Sequence, residues 1–342
     1  MKRIVIILML FNITSINGYS QGCCSGGSGS PMVGGVSMGV LQQGQFDFGE
    51  SFQYFSSDKF YAGSLDSSSA LVKDIKTSYL YSRLGYGITS KLTLYLEAGY
   101  FFHKTETGFD TDRPDYIKKS SGLSDIIIFP RYNVYDITNS KAHTELTLGL
   151  GLKIPIGNYH DSTTVYIDPT NGQNSKTVSP PTVQTTTGSN DFIFYGFALR
   201  EFKKIKLKVF ANVTYINKGY NSMGEKFGDY ASIGLFAGKT YFKKLGVTCQ
   251  LKYEWVDKMQ LNPNIDLNAL KISIDPNSSG SKKLSFVPQL SYSYKSITLF
   301  GLYDMPVYQY LNGVQIGSKY LVTVGFTYRF KPTKFLWKVK EN

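Results

Sequence analysis

Apolar and polar residues alternate with a period of two along much of this chain. In the stretch 145–154, Leu146, Leu148, Leu150, Leu152 and Ile154 fall on one side, and Glu145, Thr147, Gly149, Gly151 and Lys153 on the other. The stretches 91–100, 245–255 and 320–330 repeat the pattern, and each apolar side ends in Tyr, Phe or Trp: Tyr100, Tyr253, Trp255, Tyr328, Phe330. A period of two predicts strands with one buried and one solvated face. Aromatics closing the apolar face fit the girdles at the two surfaces of a membrane.

Twelve strands are predicted, beginning near Leu41, Lys73, Lys91, Leu123, Ala142, Asp191, Ile205, Asp229, Leu245, Lys283, Ile297 and Lys319. The links between them alternate in length. Residues 89–90, 137–140, 201–204, 242–244 and 295–296 are short; 56–72, 104–122, 158–190, 218–228, 258–281 and 311–318 are long. The expected fold is therefore all-β: a closed antiparallel transmembrane β-barrel with short periplasmic turns and long external loops. Closure removes the sheet edges that hydrocarbon cannot satisfy. Ile127 and Phe129, and Phe300 and Leu302, fall on the side assigned to the lumen. This implies either register shifts at Pro130 and Pro306 or apolar patches inside.

Composition agrees with this reading. The chain of 342 residues has 26 Tyr, 23 Phe and 33 Gly, and only 18% of it is charged. That disfavours a disordered chain and a helical bundle, and no apolar run reaches the ~20 residues of a spanning helix. The formal charge is +12, but the basic residues are spread, so nucleic-acid binding is not expected. Outward lysines suit outer-membrane lipid and lipopolysaccharide instead.

Lys2 and Arg3, the apolar run 4–11 and the small residues ending at Ser20 predict a signal peptide over 1–20. The chain is then divided into a Gly/Ser/Cys-rich segment, 21–40, that is a candidate plug; the barrel, 41–330; and a basic periplasmic tail, 331–342, carrying Phe335 and Trp337. The expected location is the cell outer membrane, by way of the barrel-assembly machinery. Cys23 and Cys24 admit three readings: lipidation of Cys23, a soft-metal site of the two thiolates, or disulfide or free thiols.

Several strings carry a resemblance: residues 84–100 (LGYGITSKLTLYLEAGY), 122–135 (GLSDIIIFPRYNVY), 148–159 (LGLGLKIPIGNY) and 54–64 (YFSSDKFYAGS). In this order they resemble the outer-membrane barrel family named for the MetA pathway of phenol degradation, whose members are called transporters. The lead-in around Cys23 looks like that of a Bacteroidetes member. The resemblance implies passage of small, often hydrophobic or aromatic, compounds.

Candidate chemistry lies in the lumen. Alternation turns Arg83, Glu97, Arg131, Glu145, Lys153, Lys206, Lys208, Lys252, Glu254 and Arg329 inward, as pore-lining residues or as salt bridges stiffening the wall. No enzyme is expected: His160, Asp161 and Ser162 are neighbours on a loop, a poor basis for a triad. Glu106, Asp110, Asp112 and Asp115 crowd one external loop and could bind Ca²⁺. No cofactor is expected. The expected function is passive or gated passage of a small solute; the alternatives are a structural or partner-binding barrel and a metal-handling protein using Cys23 and Cys24.

Overall fold

The computed structural model describes residues 39–69, 72–108, 116–167, 174–264 and 275–332. The expected signal peptide, Cys23 and Cys24, residues 21–38 of the candidate plug, Asp110, Asp112 and Asp115, and Phe335 and Trp337 lie outside the described residues.

Twelve strands form the barrel: β1 (Phe46–Ser57), β2 (Val72–Gly87), β3 (Leu92–Gly108), β4 (Tyr116–Thr138), β5 (Ala142–Pro155), β6 (Asp191–Phe202), β7 (Leu207–Asn217), β8 (Tyr230–Tyr241), β9 (Leu245–Val256), β10 (Ser281–Tyr294), β11 (Ile297–Ile316) and β12 (Tyr320–Phe330). Each pairs antiparallel with its sequence neighbours. β1 pairs with β12 from Phe46↔Phe330 to Ser56↔Tyr320, which closes the sheet on itself. Every strand then has two partners, and the backbone amides and carbonyls of the wall are satisfied within it, as hydrocarbon requires.

The outer face is apolar. Leu148, Leu150, Leu235, Leu299 and Val324 are all at least half exposed. Side chains that large, left uncovered on strand after strand, suit lipid rather than water. Cys249 is also on this exposed face. Tyr328 stacks on Phe330, and Phe330 on Phe46, at the rim where the first and last strands meet. Among the described residues no helix is long and apolar enough to cross a membrane. The chain crosses with its strands, which makes it a transmembrane β-barrel of the outer-membrane type.

Five short turns lie at one end, where the first described residues enter: 88–91, 139–141, 203–206, 242–244 and 295–296. Four residues there adopt positive φ: Lys206 at 53°, Phe242 at 49°, Lys243 at 60° and Lys295 at 53°. Hairpin turns favour that conformation because it matches strand twist, but Gly or Asn normally supplies it. The left-handed region costs an ordinary side chain about 1–2 kcal/mol.

Three differences from the expected strand map have physical causes. Residues 41–45 are not strand. Instead Leu41 folds inward, its amide donating to Thr93 Oγ1 at 2.7 Å. The β3–β4 hairpin continues well beyond the ~9–11 residues that cross a bilayer, so residues 104–108 and 116–122 are strand rather than loop. β11 likewise runs to Ile316, leaving only 317–319 as a link, and its outer end pairs with Phe60–Gly63 from the first loop.

Both readings of the apolar inward positions hold, each in its place. At Pro130 there is no shift: the β4–β5 register runs unbroken from Ile128↔Leu152 to Arg131↔Gly149. Ile127 and Phe129 are buried inside the barrel, and Phe129 lies over Gly149 and Gly151, where a Cβ would come within 3.0 Å and 2.9 Å of its ring. At Pro306 the register does shift, between Leu284 and Ser285 on the partner strand. Val307 and Tyr308 both face out there, so a bulge absorbs the proline while Leu302 stays inside.

Candidate functional site

Three charged clusters stand out in the barrel interior among the described residues. The first lies near the turn end and joins β1, β2 and β12. Asp47, fully buried, accepts from Arg83 Nη2 at 2.8 Å and from Arg329 Nε at 2.7 Å. Beside it, the Arg131 guanidinium stands 3.7 Å from Glu97 and over three rings: Tyr95 at 4.4 Å, Phe129 at 4.6 Å and Tyr195 at 5.0 Å. A cation over a ring face gains up to about 2 kcal/mol when desolvated, so this arginine is fixed from several sides.

The second cluster joins β8 to β11. Lys252 bridges Glu254 at 3.2 Å and Asp304 at 2.5 Å. Lys283 meets Glu254 at 2.8 Å, and the Tyr230 hydroxyl donates to the same carboxylate at 2.7 Å. The third cluster lies at the external end. Lys153 bonds Asp191 at 2.9 Å and Thr187 Oγ1 at 2.8 Å and stands 3.5 Å from Asp125. In each cluster cations and carboxylates interleave. A buried pair left with one partner costs far more than an exposed one, so the arrangement ties neighbouring strands together.

The inward residues expected from alternation are distributed as follows. Arg83, Glu97, Arg131, Lys153 and Glu254 are buried, and Lys252 nearly so. Glu145 is half-buried and accepts from Thr147 Oγ1 at 2.9 Å. Arg329 is partly exposed at the rim. Lys208 is partly exposed near Glu201, 4.0 Å away. Lys206 stands in the 203–206 turn with positive φ and is exposed, so it lies off the strand and off the inner face. Sequence reasoning did not single out the carboxylates that answer these cations: Asp47, Asp125, Asp191 and Asp304. The alternation Phe46, Asp47, Phe48 already carries the signal for the first.

Between the clusters the interior is two-sided. On β4 and β6–β8, Ile127, Phe129, Ile193, Tyr195, Phe197, Phe210 and Phe236 belong to one buried apolar cluster. Phe210 and Phe236 stack at 4.3 Å with planes 12° apart. On β1, β10 and β12 the inner face is largely polar: Ser51, Gln53, Ser285 and Thr323 are buried, and the side-chain polar atoms of Ser51, Gln53 and Thr323 have no hydrogen-bond partner among the described residues.

Both mouths are narrowed by chain. On the turn side, Gly39 lies against the Glu145 carboxylate and Leu41 packs with Tyr95. On the external side, residues 179–190 run along the inner faces of β3, β4 and β5. Val183 there is fully buried. Ser120 Oγ donates to the Val183 carbonyl, Lys104 Nζ to that of Gln184 at 2.6 Å, and Thr182 Oγ1 to Glu106 at 2.6 Å. Asn221 from the next loop donates to the Thr187 carbonyl at 3.0 Å.

His160 stands in the link between β5 and β6. It is exposed, its ring lies 3.8 Å from that of Tyr159, and its amide donates to Asn158 Oδ1. Asp161 is engaged by Asn158 and by Gln184. Glu106 is tied to Lys118 at 3.0 Å and to Thr182. Among the described residues no three His, Cys, Asp or Glu side chains converge as a metal site.

No protein-family model and no curated protein matches the chain. Among solved structures, an outer membrane channel from Pseudomonas putida F1 is similar over 87% of this chain and 100% of that one, with a TM-score of 0.64 and 12% identity. The KdgM porin aligns over 84% of this chain and 99% of its own at a TM-score of 0.41 and 10% identity. The translocator domain of the autotransporter NalP from Neisseria meningitidis aligns over 85% and 90% at a TM-score of 0.40 and 9% identity. At such identities the likeness is one of fold, and the first of these supports an outer-membrane β-barrel spanning nearly the whole chain.

Proposed function

We propose that this barrel is a narrow outer-membrane channel for small solutes, closed from the periplasmic side by the segment that precedes β1. The observation that carries this reading is the course of residues 39–41. They turn into the barrel, with the Leu41 amide on Thr93 and its side chain against Tyr95. A wall that served only as a scaffold has no use for a strand lead-in held inside it. The two-sided interior suits a solute that is part apolar and part hydroxylated or carbonyl-bearing. One wall offers ring faces, and the other offers amide and hydroxyl groups with bonds to give. The resemblance of 84–100 and 122–135 to the phenol-degradation transporters points to the same class of small aromatic solute.

Conductance in a planar bilayer tests both parts of the reading. The full chain is expected to show small or intermittent current, and a form lacking residues 21–41 steady current. A small aromatic alcohol in the bath should reduce that current more than a sugar of similar size. Silence from both forms would sink the channel reading. Equal steady current from both would leave the channel and remove the plug.

A further inference from the structure

We infer that the periplasmic rim of the barrel is a binding collar for anionic phospholipid headgroups of the inner leaflet. This rests on the membrane-spanning fold and not on the channel reading. Each of the five turns contains lysine, and none contains Asp or Glu. Lys91 and Lys141 serve the first two turns. Lys203, Lys204 and Lys206 fill the third, Lys243 and Lys244 the fourth, and Lys295 the fifth. All are exposed. The external loops differ: Asp58 stands beside Lys59, and Asp257 beside Lys258.

Three further observations favour lipid as the occupant. First, the turns also expose apolar side chains: Ile88, Ile205 and Phe242, the last 90% exposed. Lysine beside an exposed apolar group is the pairing of an interface, where the stem and its neighbour enter the acyl boundary and the ammonium reaches the headgroups. Second, two of the turn lysines, and Lys239 next to a turn, sit with the outward girdle rather than the lumen. Lys244 and Lys295 both lie 5.5 Å from the centre of the Tyr294 ring, and Lys239 lies 5.7 Å from that of Tyr241. Third, Phe242, Lys243, Lys206 and Lys295 hold positive φ where Gly or Asn would be relaxed. The sequence keeps these side chains at the cost of an easier turn, and local strain of this kind points to a use for the residue. The turns also alternate with loops around the whole barrel, so the charge forms a ring. A single protein partner would engage one side of a ring; the surrounding lipid engages all of it.

The test uses the full chain extracted from outer membranes in mild detergent and mixed with equal phosphatidylglycerol and phosphatidylcholine. Native mass spectrometry reads the lipid retained. The wild type should prefer the anionic lipid, by about fivefold for each lysine that reaches the headgroup layer, and 1 M salt should abolish the preference. Changing Lys203, Lys204, Lys243, Lys244 and Lys295 to Gln should cut the preference on the order of tenfold or more. The same five changed to Arg should keep it. Changing the exposed external lysines Lys59, Lys76, Lys119, Lys258 and Lys282 to Gln should leave it intact. Heat-dependent gel mobility confirms that every variant is folded. Equal preference in wild type and the turn variant would overturn the proposal, as would an equal loss in the external variant. So would a lysine-dependent capture of an acidic periplasmic protein with no preference between the lipids.

Discussion

Arg131 shows what the interior asks of a single residue. Its guanidinium lies over Tyr95, Phe129 and Tyr195, with Glu97 beside it, and both charged side chains are nearly fully buried. Replacing Arg131 by Leu removes the cation and leaves the Glu97 carboxylate in a site with little water. Breaking a buried pair from one side costs about 3–5 kcal/mol, whereas removing both charges is often close to neutral. The Arg131→Leu variant is therefore expected to unfold at distinctly lower urea concentration, and the double variant with Glu97→Gln to recover most of that loss. Gel mobility across a urea series checks both. A single variant as stable as the wild type would mean that the pair does not hold the wall. The inward direction of both residues is legible in the alternation of β3 and β4. Their partnership is not, because it depends on the β3–β4 register, Glu97↔Ile127 and Thr93↔Arg131, which no local pattern encodes.

At the scale of elements, the strands were readable because hydrocarbon on one side and a lumen on the other impose a strict period of two. That constraint ends at the membrane surface, and so does legibility. The β3–β4 hairpin above the membrane and the inward course of Leu41 sit where the lipid no longer selects the pattern, whereas the bulge beside Pro306 lies within the wall and is signalled by the proline itself. The external loops depend instead on particular polar contacts. Glu225, on the short strand Glu225–Lys226, is buried and accepts from Asn221 Nδ2 at 2.8 Å. Burial pushes its carboxyl above the usual range, against the partial relief given by Asn221 and by the nearby His160. A carboxyl whose folded pKa is raised binds its proton more tightly in the folded loop, so the loop is most stable at acid pH. Stability then falls as pH rises from the unfolded value through the folded one, and the penalty is complete above that. Glu225→Gln should therefore protect residues 218–229 from protease at pH 7.5 and make no difference near pH 4. Hydrogen exchange of the same loop gives an independent reading. Protection that is equal at both pH values would show that the carboxyl's titration is not what loosens the loop.

For the whole molecule, the charge of the lumen and the charge of the rim carry different consequences. Inside, the cations expected to line a pore are answered by carboxylates: Arg83 and Arg329 by Asp47, Lys252 and Lys283 by Glu254 and Asp304, Lys153 by Asp125 and Asp191. Selectivity in a pore follows the field that its wall presents to an ion. A wall whose charges cancel over a few ångströms presents little. The form lacking residues 21–41 should accordingly discriminate weakly between K⁺ and Cl⁻, with a reversal potential close to zero in a salt gradient. Lys153 offers the sharpest perturbation. It faces two carboxylates at the external mouth, so Lys153→Gln leaves Asp125 and Asp191 with one cation fewer between them. The reversal potential should then move toward that of a cation-selective pore, while the matching change at exposed Lys206, which stands in a turn, should leave it unmoved. Strong anion selectivity in the unaltered pore would mean that Arg83, Arg131 and Arg329 act on passing ions despite their pairing. The charges of the wall would then serve as a filter rather than as ties between strands.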